Sequence, residues 1–386
     1  MTSEATTATA SARWRQRAAA LADAVRPDGE APSCRGAFAC VPRHRFLPEQ
    51  VWRPRAGGGY TPVDRARDPE AWWALAYADE PVVTRLADDG TGRQISASSA
   101  SMPSLVAVML DLLDVRPGHR VLEIGTGTGY NAALLCALLG DDHAVTSIEI
   151  DADTAAAADT ALQAAGFAPH LVVGDGTANL PGDELYDRIE ATVAIRRVPY
   201  AWIERTRPGG RIVTPWAGGG TGAGYLLALD VDEHGRARGH FGTRADFMLA
   251  TEAAPDPDAA RKAAPAPGPP RRTALDPGSV ADPDLLAVLG IVLPDLVLAV
   301  DEDDAGRSRA HVWGPGGAYA CATNVSADGP EVRAWGVGDL WSRVEDSAAW
   351  WQTAGRPETT EFGITVGPTG QHIWCDRPGS PPWANV

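Results

Sequence analysis

The stretch Val121–Leu135, VLEIGTGTGYNAALL, constrains the chain most. An apolar run enters three glycines at alternate positions, Gly125, Gly127 and Gly129, and an apolar segment with helical spacing follows. A strand that turns on glycines into a helix suits a nucleotide, because glycine tolerates the turn's backbone and puts no side chain in the ligand's way. The spacing is G-x-G-x-G, whereas dinucleotide folds use G-x-G-x-x-G with a third glycine for close helix packing, so hydride transfer is disfavoured.

The acids that follow point to a different nucleoside. Glu149 ends the next apolar run, AVTSIEI, where a carboxylate can accept both hydroxyls of a ribose. Asp175 ends the one after, in VVGDG, where it can accept from an exocyclic amine. With Glu123, two residues before the first glycine, these acids are expected to line the carboxyl ends of successive strands, the crevice in which open α/β sheets bind ligands. Taken singly, Glu149 reads as a solvated strand end and Asp175 as a turn former. Together they favour a positively charged sulfonium nucleoside, S-adenosyl-L-methionine. Its expected contacts are Glu123, Gly125, Thr126, Gly127, Thr128, Gly129, Glu149, Ile150, Asp175, Gly176 and Thr192, and no metal is expected.

The runs HRVLEIG, AVTSIEI, HLVVGDG, YDRIEATVA and GGRIVTPW alternate with helix-like segments such as ADTAAAADTALQAAG. That alternation predicts an α/β fold, a Rossmann-like sheet with flanking helices. Residues 1–29 read as a tip and a helix with Trp14, Ala18, Leu21 and Val25 on one face, and residues 30–250 as the cofactor-binding body. The Pro/Ala-rich stretch 251–283 reads as a semi-extended connector, and 284–386 as a small C-terminal α+β domain. In that tail AHVWGPGGAYACAT and FGITVGPTGQHIWCD each predict strand, turn and strand, and DLWSRVEDSAAWW predicts a helix burying Leu340, Val344 and Trp351.

Charge narrows the partners. With 34 basic and 50 acidic residues the net charge is −16, which repels phosphate backbones and anionic lipid. No window has 18 uninterrupted apolar residues, so neither nucleic acid nor membrane is expected as a partner. Five cysteines without a C-x-x-C pair argue against a zinc knuckle or a complete disulfide framework, and a cytoplasmic monomer is expected.

Further along the chain VPRHRF (Val41–Phe46), YADEP (Tyr77–Pro81), SASMPSLVAVMLDLL (Ser99–Leu113), GDG (Gly174–Gly176) and DRIEATVA (Asp187–Ala194) accompany the glycine turn. In this order they resemble the protein L-isoaspartyl O-methyltransferases, class I S-adenosylmethionine-dependent enzymes, over roughly residues 30 to 250. The resemblance implies methyl transfer to a carboxylate within a peptide. It places Ser101, with Ser99 at a threonine position, beside the acceptor carboxylate in the family's T-x-S-x-P setting. Ser96 and Ser98 offer rival registers, Met102 stands where glutamine or alanine is usual, and a helix N-cap is the plain alternative for Ser101. Arg43, His44, Val193, Ala194 and Arg197 are the expected substrate contacts. The family's usual acidic residue is missing from ATVAIRRVP, leaving Arg196 and Arg197 able to receive an acidic peptide.

The tail departs from the family's repair enzymes, which usually finish near the connector. Trp313, Trp335, Trp341, Trp350, Trp351, Trp374 and Trp383 follow it, and tryptophan is suited both to a small core and to a dedicated partner. The full-length arrangement looks like the methyltransferases that accompany ATP-grasp ligases in maturing ribosomally encoded crosslinked peptides (graspetides). That resemblance implies a modified precursor peptide as substrate, esterified at an unmodified aspartate that then closes to an aspartimide. General isoaspartate repair is the alternative. A non-catalytic nucleoside-binding scaffold is disfavoured by the intact DRIEATVA run, and a small-molecule methyltransferase by VPRHRF.

Overall fold

The computed structural model describes residues 2–25, 32–55, 58–88, 92, 94–178, 180, 182–217, 224–248, 268–325, 329–336 and 338–376. Packing divides the chain into two compact units. One runs to Thr192 and includes Arg205–Val213, and the other holds Val193–Glu204 and the chain from Thr214 onward.

The first unit opens with α1 (Thr2–Val25) and α2 (Pro32–Cys40). Helix α1 buries Ala18, Leu21, Ala22 and Val25, as their spacing predicts, while Trp14 stays partly exposed. An antiparallel sheet follows: β1 (Gln50–Pro54), β2 (Tyr60–Asp64), β3 (Val82–Asp88) and β4 (Gln94–Ala100), in the order β2-β1-β3-β4, with α3 (Pro69–Ala76) between β2 and β3. Its core is Leu47, Val51, Trp72, Leu75, Val82 and Ala100. The runs read from sequence do not extend to these strands, and β4, QISASSA, carries a single branched apolar residue, Ile95, among small ones.

Helix α4 (Pro103–Leu113) leads into the parallel part: β5 (Val121–Ile124), α5 (Tyr130–Leu139), β6 (Val145–Glu149), α6 (Ala152–Ala165), β7 (His170–Val173), β8 (Tyr186–Ala191) and β9 (Thr206–Ala217), whose residues to Val213 belong to this unit. The order is β9-β8-β5-β6-β7. The chain steps outward from β5 to β7 and then returns to β5's other side, so a crevice opens at the carboxyl end of β5. Helix α6 is fixed at both ends, by Asp151 accepting from the Thr154 amide at 2.8 Å and by Gly166 at φ 91°.

The second unit contains α7 (Tyr200–Glu204), the end of β9, β10 (Gly224–Val231), β11 (Ala237–Arg244), β12 (Arg271–Arg272), α8 (Pro283–Val292), β13 (Val297–Glu302), β14 (Ser308–Trp313), β15 (Tyr319–Thr323), β16 (Glu331–Trp335), α9 (Leu340–Thr353), β17 (Phe362–Gly367) and β18 (Gly370–Cys375). Five of these strands form an antiparallel sheet, β12-β16-β15-β14-β13. Ala310, Val312, Ala320, Ala322 and Val332 are buried on it, and α9, which packs on β14, β15 and β16, buries Leu340, Trp341, Val344, Ala348 and Trp351. The polar edges of both buried tryptophans are satisfied: Trp341 Nε1 donates to Thr273 Oγ1 at 2.7 Å and Trp351 Nε1 to the Pro357 carbonyl at 3.0 Å.

The expected boundaries change in two places. The last hairpin is not part of a separate tail, because β17 pairs with β11 through Ala237 to Val366, Arg238 to Thr365, Gly239 to Ile364 and His240 to Gly363. Backbone pairing thus joins residues from the two sides of the Pro/Ala-rich stretch. Of that stretch, 251–267 lie outside the described residues, while 268–283 carry β12 and a 3-10 turn, Pro277–Ala281. Among the described residues no helix is long and apolar enough to cross a membrane.

Candidate active site

The glycine turn takes the backbone that its residues allow. Gly125, Gly127 and Gly129 have φ of 95°, 53° and 83°, and the Gly125 amide donates to the Ile148 carbonyl at 2.8 Å, fixing the turn to β6. A Cβ on Gly129 would stand 3.2 Å from Leu162 Cδ1 and 3.4 Å from Ala158 Cβ, so the third glycine still lets α5 begin against α6. Among the described residues, a Cβ on Gly127 would meet only the Ser99 carbonyl oxygen within 4 Å, at 3.9 Å. The turn therefore has open space above it, and the end of β4 stands beside that space.

Two of the expected acids are placed for a nucleoside. Glu149 Oε2 accepts from the Gly127 amide at 2.8 Å and Oε1 from the Asp151 amide at 3.1 Å. A carboxylate offers about four lone-pair sites, so two bonds to backbone leave capacity for two hydroxyl donors. Asp175 Oδ1 accepts from both the amide and the hydroxyl of Thr177, at 2.8 and 2.6 Å, which sets the carboxylate's orientation. Ile150, next to Glu149, is 57% exposed, unlike the buried isoleucines at 124, 148 and 189, and leaves an apolar surface open to a ligand. A Cβ on Gly176 would lie 2.7 Å from Ile124 Cγ2, so any larger residue there would have to displace the Ile124 side chain. Thr192 Oγ1 donates to the Gly125 carbonyl at 2.5 Å, and Thr128 Oγ1 accepts from the Tyr130 amide at 3.4 Å. An open glycine cradle, paired acceptors and one exposed isoleucine fit S-adenosyl-L-methionine.

Glu123 does not line this crevice. It is fully buried on β5, where Ser147 Oγ donates to Oε2 and Asn131 Nδ2 to Oε1 at 2.8 Å. The same Asn131 nitrogen donates to Glu190 Oε2 at 2.9 Å. Glu123 and Glu190 face each other in register on β5 and β8, and Thr126, also buried, reaches into the cluster through its hydroxyl, 2.6 Å from Ser147 Oγ. Burial pushes the Glu123 carboxyl up to about 8, against the hydrogen bonds from Ser147 and Asn131. Glu190, also by burial, is pushed up to about 7. These acids support the floor of the turn from below, and Glu190 and Asn131 are members that the sequence analysis misses.

The acceptor side is organised by Arg43, also reassigned. Arg43 is fully buried, with Nη1 donating to the carbonyls of Ala76 and Ala78, both at 3.1 Å, and Nη2 to those of Glu80 and Ser101, at 3.2 and 3.0 Å. Four backbone carbonyls occupy its guanidinium, so it holds the YADEP segment to Ser101 and does not meet a substrate carboxylate. His44 is likewise engaged, its Nδ1 2.7 Å from the Tyr77 hydroxyl and its ring 4.6 Å from that of Trp73. Burial, with Arg45 and Arg65 nearby, holds its pKa down at about 4, so it is neutral near pH 7 and offers no cation. Ser101 is partly exposed, and the cap of α4 is Met102, which makes no side-chain cap bond; instead Asp79 Oδ1 accepts from the Ser104 amide at 2.8 Å. The N-cap reading of Ser101 is thereby replaced. Ser98, a rival register, is buried within β4.

Val193, Ala194 and Arg197 belong to the second unit. Ala194 is buried, its amide donating to the Met248 carbonyl at 2.7 Å; Val193 is partly exposed and Arg197 exposed.

The model of the protein-L-isoaspartate(D-aspartate) O-methyltransferase (PCMT) family matches residues 63–240. A protein-L-isoaspartate O-methyltransferase of Methanopyrus kandleri is 33% identical over 221 residues, 57% of this chain and 84% of that protein. Protein-L-isoaspartate O-methyltransferase 2 of Archaeoglobus fulgidus is 37% identical over 171 residues, 44% of this chain and 72% of the relative. A solved protein-L-isoaspartate O-methyltransferase structure has the same fold, with a TM-score of 0.54 at 22% identity, covering 92% of this chain and 98% of its own. That coverage extends beyond residue 250, so a C-terminal region is not foreign to a protein of that name. On the turn, the acids and these matches, the chain belongs to the protein-L-isoaspartate(D-aspartate) O-methyltransferase family, whose members are S-adenosyl-L-methionine-dependent carboxyl methyltransferases.

Proposed function

We propose that the chain esterifies an aspartate side-chain carboxylate in a ribosomally made, side-chain-crosslinked precursor peptide, and that the ester closes to an aspartimide. The observation that carries this reading is the anchoring of the loop after Thr192. It bears Arg196 and Arg197 where the family's acidic residue is missing, and its Val198 amide donates to Gln371 at 3.0 Å, a residue beyond the family match. Repair of isoaspartyl residues is a second reading, favoured by the names of the relatives and by the long solved structure.

In this reading Glu149 accepts from the ribose hydroxyls, Asp175 from the exocyclic amine, and Ile150 covers the purine. S-Adenosyl-L-methionine supplies a methyl group on a positively charged sulfur. The acceptor carboxylate, with an ordinary pKa of about 3.9, is ionised at neutral pH and needs no general base. Ser101 donates its hydroxyl hydrogen to one carboxylate oxygen and turns the other toward the methyl carbon. As the O–C bond forms, the S–C bond breaks and its electron pair stays on sulfur. Opposite charges are neutralised in that step, so alignment and exclusion of water supply most of the rate. Closure needs no residue of the enzyme: the next backbone nitrogen attacks the uncharged ester, and the methoxide leaves as methanol with that nitrogen's proton.

Mass spectrometry of the crosslinked peptide with the full-length protein tests the reading. One methyl group should appear at an aspartate, followed by loss of methanol. Equal turnover of an isoaspartyl test peptide would favour repair.

A further inference from the structure

We propose that Gln371 is a positioning residue, through which the C-terminal hairpin sets the conformation of the loop from Val193 to Pro199. Its relevance to turnover rests on the reading in which this loop meets the peptide.

Among the described residues, backbone amides fix the loop near its start and at its end. Near its start the Ala194 amide donates to Met248, the Ile195 amide to the Pro215 carbonyl at 3.0 Å, and the Ala217 amide to the Ile195 carbonyl at 2.8 Å. At its end the Val198 amide donates to Gln371 Oε1 at 3.0 Å across 173 positions of sequence. Arg196 and the exposed Arg197 lie between the two points. Pro199 follows with no N–H of its own and biases Val198 toward extended backbone, so the Val198 bond is the anchor on that side.

The choice of glutamine at 371 is otherwise hard to account for. It is 2% exposed, and on the same face of β18 Ile373 and Cys375 are buried; its partner across the hairpin is Val366, also buried. An apolar residue would suit that face at a lower desolvation cost. Moreover, Gln371 Nε2 is buried with no hydrogen-bond partner among the described residues, so the amide leaves both of its N–H donors unmet to supply one acceptor. The acceptor is what the loop uses. Gln371 is itself fixed by the ladder from β18 to β17 and from β17 to β11, which gives the loop a rigid support.

Gln371→Met, of similar length but without the acceptor, and Gln371→Glu, which keeps acceptor oxygens, test the proposal in the full-length protein. Site-resolved hydrogen exchange in Gln371→Met should show the Val198 amide exchanging about tenfold faster, the loss expected for one hydrogen bond, while the Ile195 and Ala217 amides stay protected. Its kcat/KM for the peptide should fall about tenfold or more with S-adenosyl-L-methionine affinity within about twofold of the original. Gln371→Glu should keep Val198 protected, which separates loss of the acceptor from general loosening of the hairpin. Unchanged Val198 exchange in Gln371→Met, deprotection in Gln371→Glu, or a deprotected loop with unaltered kcat/KM would each overturn the proposal. If the unaltered protein methylates no peptide, the functional reading fails, and Val198 exchange still decides whether Gln371 fixes the loop.

Discussion

Gly127 in the first unit does the opposite work of Gly239 and Gly363 in the second. In the first, Gly127 leaves open space beside Ser99, with nothing among the described residues closer than 3.9 Å to an added Cβ. In the second, a Cβ on Gly239 would fall 1.7 Å from the Ala228 carbonyl oxygen, and one on Gly363 2.2 Å from Trp374 Cη2. Gly127 keeps a gap above the turn, whereas Gly239 and Gly363 let a strand and a tryptophan close onto backbone. A glycine motif in sequence announces the first use; the second is visible only when the neighbouring strand is in place.

The sharpest break of this contrast is Gly239→Ala. Backbone atoms cannot yield as a side-chain tip can, so thermal unfolding should show a loss above about 3 kcal/mol, while Gly127→Ala stays folded. Next come Glu149→Ala and Asp175→Ala, which remove the acceptors proposed for the nucleoside's hydroxyl and amine donors. Calorimetry should show S-adenosyl-L-methionine binding weakened by about 1.5 to 3 kcal/mol, and Glu149→Ala, which also leaves the Gly127 and Asp151 amides without their acceptor, should lower the melting temperature as well. Gly127→Ala itself should cost only about 1 to 2 kcal/mol of stability, from forcing a side chain onto left-handed backbone, but its Cβ enters the cradle and cofactor affinity should fall with it.

The smallest effect is a slope. Glu123 and Glu190 bind protons more tightly folded than unfolded, so the stability they lend is full below their unfolded pKa of 4.5 and is lost as pH rises through about 7 to 8. Glu190→Gln should flatten the decline of melting temperature across that window. An unaltered slope would show that the pair does not carry the excess protons.

The parallel sheet and the turn were legible because their signals are local: Val- and Ile-rich runs, glycines, and acids at strand ends. The role of Glu123 was not, since its burial depends on β8 lying beside β5, which sets Glu190 opposite it, and on Asn131 bridging the two from α5. Arg43 read as a substrate contact because the carbonyls that engage it lie 33 to 58 positions away. The pairing of β17 with β11 was hidden by the Pro/Ala-rich stretch between them, which reads as a boundary although strands on its two sides share hydrogen bonds.

The most direct test of the account follows the methyl group itself. Full-length protein, methyl-labelled S-adenosyl-L-methionine and the crosslinked peptide are combined, and the labelled product is treated with mild base. The account predicts label on an aspartate as a base-labile ester, released as methanol, with Ser101→Ala slowing its single-turnover formation while leaving cofactor affinity nearly unchanged. Label in a base-stable linkage, or no transfer to any peptide carboxylate, would contradict it.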